Sequence, residues 1–145
     1  MTATLTTIRQ ALAANLSTLT GIQVSAYMLA QPTPPTIHLY PAQITYDLAA
    51  ARGLDQWDFT VQAFVGDTAD QGAQVALDAF IAPSGAQSVK RALEVPDGGS
   101  PRTYLGGIAG DVSALTCSGY RIYTRPGSPS VLGAEWTVRV LAAGN

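Results

Sequence analysis

Few side chains in this sequence could do chemistry, and their spacing limits what chemistry that would be. His38 is the single histidine and stands in "TIHLYP", an extended stretch beside prolines. A catalytic base needs an oriented partner within hydrogen-bond reach, and no G-x-S-x-G serine turn occurs to supply one. His38 is therefore expected at the surface or at a sheet edge. Cys117 is the single cysteine and stands in "ALTCSGY". Its sequence neighbours are apolar or hydroxylic and bring no positive charge to favour a thiolate. A buried structural cysteine is expected there. One histidine and one cysteine cannot furnish a transition-metal site.

The acids Asp47, Asp55, Asp58, Asp67, Asp70, Asp78, Glu94, Asp97, Asp111 and Glu135 are dispersed, and none forms a calcium loop. Asp67 and Asp70 precede a helical pattern, where negative charge meets the positive end of the helix dipole. The glycine-rich "DGGSP" and "LGGIAG" lack the lysine and the following helix of a phosphate loop, so a loop or bulge is expected. Lys90 and Arg91 form the densest positive spot. They read as a solvated helix face, with a neighbouring subunit or passing nucleic acid as the other candidates. The residues thus predict no catalytic group, no metal and no cofactor, and a protein that is not an enzyme.

Composition narrows the remaining classes. The chain has 145 residues, a net charge of −2, 47% apolar residues and 12% charged residues. That length suits one domain with a real core. The charged share is about half the usual one, which is better tolerated where neighbours cover the surface. The eight basic residues are scattered, so tight nucleic-acid binding has no footprint. A single cysteine excludes an intrachain disulfide. The N-terminal "MTATLTTIRQALAANL" does not read as a secretory signal, and no apolar run reaches the roughly 20 residues that span a bilayer. A cytoplasmic origin and no membrane contact are expected.

The elements that must position these residues follow from periodicity. Leu5, Ile8, Leu12, Leu16 and Leu19 make one helical stripe over residues 4 to 20, with Thr4 as N-cap and Gly21 as the stop. Residues 22 to 28 alternate as a strand, and the prolines of 31 to 36 make a stiff loop. "IHLYP" restarts an extended segment that Pro41 ends or marks as an edge, and residues 42 to 50 read as another strand or an arm. After a turn at 50 to 56, "WDFTVQAFVG" alternates Trp57, Phe59, Val61, Ala63 and Val65 against Asp58, Thr60, Gln62 and Phe64. A second helix covers 69 to 82, capped by Asp67 or Thr68. Residues 88 to 95 read as a short helix capped by Ser88, or as one turn of helix running into a strand. Residues 96 to 103 are a flexible loop, 104 to 115 a bent strand or bulge, and 119 to 124 a strand. After the turn "RPGSPS", a last strand at 131 to 142 closes a hairpin and carries Trp136, Val138 and Val140 on one face. Trp57 and Trp136 read as packing residues, with interface anchors as the runner-up.

The sum is an α+β two-layer sandwich over residues 1–145. A mainly antiparallel or mixed sheet carries two main helices on one face, plus a short helix and a β-hairpin. The polar sheet face with Thr60, Gln62, Thr137 and Arg139 is expected to be free.

The order of "IRQALAANLSTLTGIQVSAYM", "IHLYP", "WDFTVQAFVGDTADQGAQVALDAFIA", "SGAQSVKRALE" and "YLGGIAGDVSAL" resembles the tail terminator, or tail completion, proteins of long-tailed bacteriophages, especially those of actinobacterial hosts. The resemblance spans nearly the whole chain at the level of pattern. It implies a subunit that closes into a ring, typically a hexamer, at the head-proximal end of the tail tube. Such a ring ends tube growth, joins the tail tube protein to the head-completion or stopper protein, and lets DNA pass without sequence-specific binding. The implied location is the virion, after assembly in the host cytoplasm, with no enzymatic activity and no cofactor. Head–tail adaptors and stoppers share this size and composition. A small ligand-binding module, with an apolar pocket between sheet and helices, is the alternative from another class, and an enzyme resting on His38 or Cys117 is the third.

A ring needs one patch to meet a different patch on the next copy. Residues 42 to 56 and 96 to 103 are the candidate arms, and loops 31–36, 49–56 and 96–103 the candidate flexible or interface-forming segments. The charged candidates for the joint are Asp47, Arg52, Asp55, Asp97, Arg102, Arg121, Arg125 and Arg139. Lys90 and Arg91 are the candidates for a lumen or partner contact.

Overall fold

The computed structural model describes residues 4–29, 35–47, 53–66, 71–98, 102–125 and 128–143. Helix α1 runs Leu5–Leu16, and strands β1, β2 and β3 run Gln23–Ser25, Thr36–Thr45 and Leu54–Gly66. Helices α2 and α3 run Gln71–Ile81 and Val89–Leu93. A 3-10 turn at Leu105–Gly107 leads into the long strands β4, Asp111–Arg125, and β5, Ser128–Ala143. The strands form one five-stranded sheet in the order β1-β2-β3-β5-β4. All pairs are antiparallel except β1 with β2. The fold is α+β, with a mixed sheet and the helices on one of its faces.

Alternation builds the core. Trp57, Phe59, Val61 and Ala63 of β3 and Ala134, Trp136, Val138 and Val140 of β5 are buried on the helix face. Register pairs Val61 with Trp136 and Phe59 with Val138. Against them lie Ile8, Leu12 and Leu16 of α1, Leu77 and Phe80 of α2, and Val89, Ala92 and Leu93 of α3. Both tryptophans are therefore core residues. Gly133 is buried where β5 crosses β3 at Phe64, and a side chain there would meet the Ala63 carbonyl oxygen and the Phe64 ring, Cδ1 lying 2.7 Å from its Cβ. Gly133→Ala is expected to cost about 1–3 kcal/mol, read as a lowered denaturation midpoint, because a backbone oxygen cannot step aside as a flexible side chain can.

Several boundaries differ from expectation, each for a local reason. α1 starts at Thr4, whose hydroxyl accepts from the Thr7 amide in a reciprocal capping box, but it ends at Leu16 rather than near Gly21. The Ser17 and Thr18 hydroxyls turn back to the Ala13 and Asn15 carbonyls and compete with further helix. β1 has three residues instead of seven, because the Ser25 hydroxyl bonds both the amide and the carbonyl of Tyr27 and turns the chain. β2 continues through Pro41 instead of ending there. β1 covers only Thr36–His38 of its flank, so Pro41 lies where β2 is the sheet edge, beside a register shift at Pro41/Gln43.

β3 begins at Leu54, and within the expected arm of 42 to 56 the residues Gln43–Thr45 pair with Gln56–Asp58, while 48–52 lie outside the described residues. Residues 111–125 form one strand, kinked by register shifts at Ala114/Thr116 and Ser118/Arg121, with Gly119 at φ +68 in the second. The expected bent strand at 104 is instead the 3-10 turn. α2 begins at Gln71, and its candidate caps Asp67 and Thr68, like the loop at 31–34, lie outside the described residues.

Candidate functional site

The sheet face turned away from the helices carries most of the chain's chemistry-bearing side chains. Register sets His38 and Tyr40 of β2 beside Gln62 and Thr60 of β3, and Glu135 and Thr137 of β5 beside those. This face is not simply solvated. Both parities of Thr36–Leu39 are buried, and His38 is 4% exposed. The expectation of a surface or edge histidine fails because β1 pairs with β2 at His38 and the Tyr40 and Phe64 rings flank its imidazole. The Leu29 amide donates to His38 Nδ1 at 2.9 Å. That fixes the tautomer, so Nε2 carries the proton and donates to Gln62 Oε1 at 2.7 Å. Gln62 Nε2 in turn donates to Glu135 Oε2 at 3.0 Å. The hydrogen bonds form a single directed chain from a backbone amide to a carboxylate.

Aromatic rings wall this chain in. Phe64 lies 5.8 Å from the His38 ring and 5.4 Å from Tyr123, edge-on to the latter, and Tyr40 is edge-on to His38 at 5.8 Å. Burial, then the Glu135 charge, pushes the Tyr40 phenol up, with an opposing hydrogen bond from Thr60. Burial is also the largest cause at Tyr123, where Arg121 opposes it and Glu135 adds to it. Cys117 is exposed on β4, not buried, because β4 is the outermost strand and leaves its flank open. Partial covering of its thiol, then the Glu135 charge, pushes it up. A thiol so placed is a poor nucleophile.

The charged residues expected at a joint have varied positions. Asp55 is buried and accepts from the Asp47 amide, while Asp47, at φ 52, accepts from the Gly53 amide, so both close the β2–β3 turn. Arg121 lies over the Tyr123 ring at 4.3 Å. Arg139 approaches Asp111 at 3.6 Å and faces Asp58 across the β3–β5 pair. Arg102 is exposed. Arg125 pairs through its backbone with Ser128, and its side chain, like Arg52, lies outside the described residues.

Lys90 and Arg91 are held by their own chain. Lys90 binds Glu94 at 2.6 Å, and the same carboxylate accepts from the Ala114 amide, tying α3 to β4. Arg91 donates to the Gly85 and Ala86 carbonyls.

Asp97 explains the "LGG" stretch. Leu105, Gly106 and Gly107 all have positive φ, at 56, 70 and 94, and successive amides in such a turn make a concavity for an anion. The anion is the chain's own: Asp97 accepts from the Gly106 and Gly107 amides and from the Thr103 hydroxyl. Leu105 holds its left-handed backbone because its side chain is buried in the core. The Thr103 bond, then the two amides, against the opposing effect of desolvation, hold the Asp97 carboxyl below its ordinary 3.8. A depressed acid stabilises the fold above its unfolded value and loses that contribution as pH falls through the folded one. The protection factors of Gly106 and Gly107, corrected for intrinsic exchange, are therefore expected to fall as pH drops below that ordinary value, and in Asp97→Ala at neutral pH. The global unfolding midpoint should move little, since the carboxylate sits in a surface turn and its bonds are local to residues 97–107.

Among the described residues no three His, Cys, Asp or Glu side chains gather as metal ligands do, and no helix is long and apolar enough to cross a membrane. An apolar groove of about 400 Å³, open on one side, runs between the end of α1 and α2 and is lined by Gly21, Pro35, Val65, Val75, Ala79 and Phe80.

Both edges of the sheet expose apolar side chains. β4 presents Leu115, Tyr120 and Ile122, at 49%, 43% and 51% exposure. Just after β1, at the opposite edge, Tyr27 and Met28 are 49% and 60% exposed. What the geometry defines is a mixed α+β sheet with two apolar margins and no assembled reactive centre among the described residues. No protein-family model matches the chain, and no curated protein is significantly similar to it.

Proposed function

We propose that this chain is a structural subunit that works by joining identical copies head to tail, as a ring of the tail-terminator type. One observation carries the reading: the two apolar margins differ in composition and sit at opposite edges of one sheet. Large exposed apolar side chains grouped on a surface mark interaction sites. Two unlike patches on opposite sides suit a heterologous joint, which repeats around a ring. The β4 edge has backbone groups open to a neighbour, and edges of such length are usually shielded in monomers.

In this reading the copies close, in the resemblance's typical number of six, at the head-proximal end of a phage tail tube. The ring ends tube growth, offers a surface to the head-completion protein, and lets DNA slide through a lumen that lacks strong positive charge. The internal engagement of Lys90 and Arg91 supports a lumen that does not grip phosphates. A head–tail adaptor or stopper would use the same margins. Light scattering on the purified chain across a concentration series is expected to show a closed multiple of the monomer mass. A strictly monomeric protein at the highest soluble concentration would overturn the reading.

The groove beside α2 favours a second reading, a small ligand-binding module, since apolar pockets of this size suit small ligands. A shift of the melting point with short apolar carboxylates or aromatics, absent in Phe80→Asp, would support it in place of the ring.

A further inference from the structure

We propose that residues 26–29 are a strap latched to the sheet by His38, and that the latch holds only while the imidazole is neutral. The strap leaves β1 at Ser25, turns through the Ser25 hydroxyl, and is pinned at two points. On the helix side the Tyr27 ring sits under the Arg9 guanidinium at 4.8 Å. On the opposite face the Leu29 amide donates to His38 Nδ1 at 2.9 Å. The strap therefore wraps the β1–β2 edge of the sheet.

The two sides of the histidine respond differently to a proton. Nε2 already donates to Gln62 Oε1, which passes the polarity on to Glu135, and it goes on donating after protonation. Nδ1 is an acceptor now and becomes a donor when protonated. It would then face the Leu29 N–H, a donor opposite a donor at hydrogen-bond distance, in a site that is 4% exposed. Leaving a buried donor unpaired is costly, so the strap is the part that yields. Ser25 flanks His38 from β1, Tyr40 from its own strand, and Gln62 and Phe64 from β3. The titratable groups nearest His38 on that face are Tyr40, Glu135 beyond Gln62, and Tyr123 beyond Phe64, with Arg121 over Tyr123 and Cys117 near Glu135; Asp58 and Arg139 lie farther along the same face. The strap is thus closed at high pH and released as the pH falls. Because it carries Tyr27 and Met28, release would also move one apolar margin; that consequence alone rests on the ring reading, and the latch itself does not.

The test is read on dilute protein by amide exchange and by ring nitrogen shifts of His38, between about pH 8 and 5, where histidine as a class changes charge. Protection factors, corrected for intrinsic exchange, are compared for Leu29 and for Val61 as an internal reference. The Leu29 protection is expected to fall about ten-fold as the ring protonates, the factor one hydrogen bond of ordinary net strength supplies. Val61 should stay constant, and His38→Asn, which keeps an acceptor that cannot protonate, should show no such fall at Leu29. A ring that protonates with Leu29 unchanged overturns the latch. So does a ring that stays neutral to pH 5, or an equal fall in His38→Asn. The wild-type arm stands alone if that variant does not fold.

Discussion

Replacing Phe59 with alanine is expected to remove about 3–5 kcal/mol of stability, a large share of the roughly 5–15 kcal/mol that holds a domain together. Phe59 is completely buried, and β3 is the middle strand of the five. Its register neighbours are Pro41 on β2 and Val138 on β5, and its ring faces the helix layer. Neither side can collapse easily into the space, because both neighbouring strands are held by their own hydrogen-bond ladders. Thr60, one residue on, points to the opposite face, where it meets Tyr40 and Thr137. Thr60→Ala is expected to cost within about 1 kcal/mol, as a modest hydrogen bond does. Urea denaturation measures both. The midpoint should drop sharply for Phe59→Ala and little for Thr60→Ala, with slopes unchanged. Equal losses would mean that the alternation does not separate a core face from a polar one.

That alternation is the part of the fold most open to reading from sequence. Trp57 to Ala63 and Ala134 to Val140 show a strict period of two because the helices cover one face of the sheet only. The caps at Thr4 and Ser88 were legible for a similar reason: each hydroxyl answers an orphan amide a few residues away, at Thr7 and Arg91. Long-range geometry was less accessible. Nothing local tells that residues 111–125 make one kinked strand, since the kinks follow from register against β5. The reach of β2 through Pro41 depends on β1 being too short to cover that stretch.

The residues of the candidate site were legible as types but not in their places. The dispersed acids and lone histidine show no metal-ligand spacing along the chain. Yet His38 looked superficial because its neighbours in sequence are prolines. Its surroundings come from β1 beside it, the Tyr40 and Phe64 rings, and the Leu29 amide nine residues away. Cys117 erred the other way: apolar neighbours along the chain suggested a core, but an outermost strand leaves half its surroundings empty. In the sequence Asp97 reads as a dispersed acid and a candidate for a subunit joint, and "LGGIAG" as a loop or bulge. Their union needs backbone amides with positive φ, which a run of glycines permits without announcing what fills the concavity. For His38 and Asp97 the missing signal was a backbone amide nine or ten residues away along the chain.

Breaking one margin of the sheet at a time separates a ring from every simpler association. The double variant Leu115→Lys with Ile122→Lys charges the β4 edge, and Met28→Lys charges the edge beyond β1. Each is expected to fold, because the replaced side chains are exposed, and each should be monomeric. Losing apolar anchors from an interface centre costs about 2 kcal/mol or more, roughly thirty-fold in affinity per joint. A head-to-tail joint uses one margin from each partner, so an equal mixture of the two variants still contains one intact pair of margins. That mixture should form a heterodimer and stop there. A symmetric dimer through β4 alone behaves differently: Met28→Lys would keep its wild-type mass, and mixing would add nothing. Sedimentation or native mass measurement distinguishes the two, and a mixture that stays monomeric removes the heterologous joint on which the ring depends.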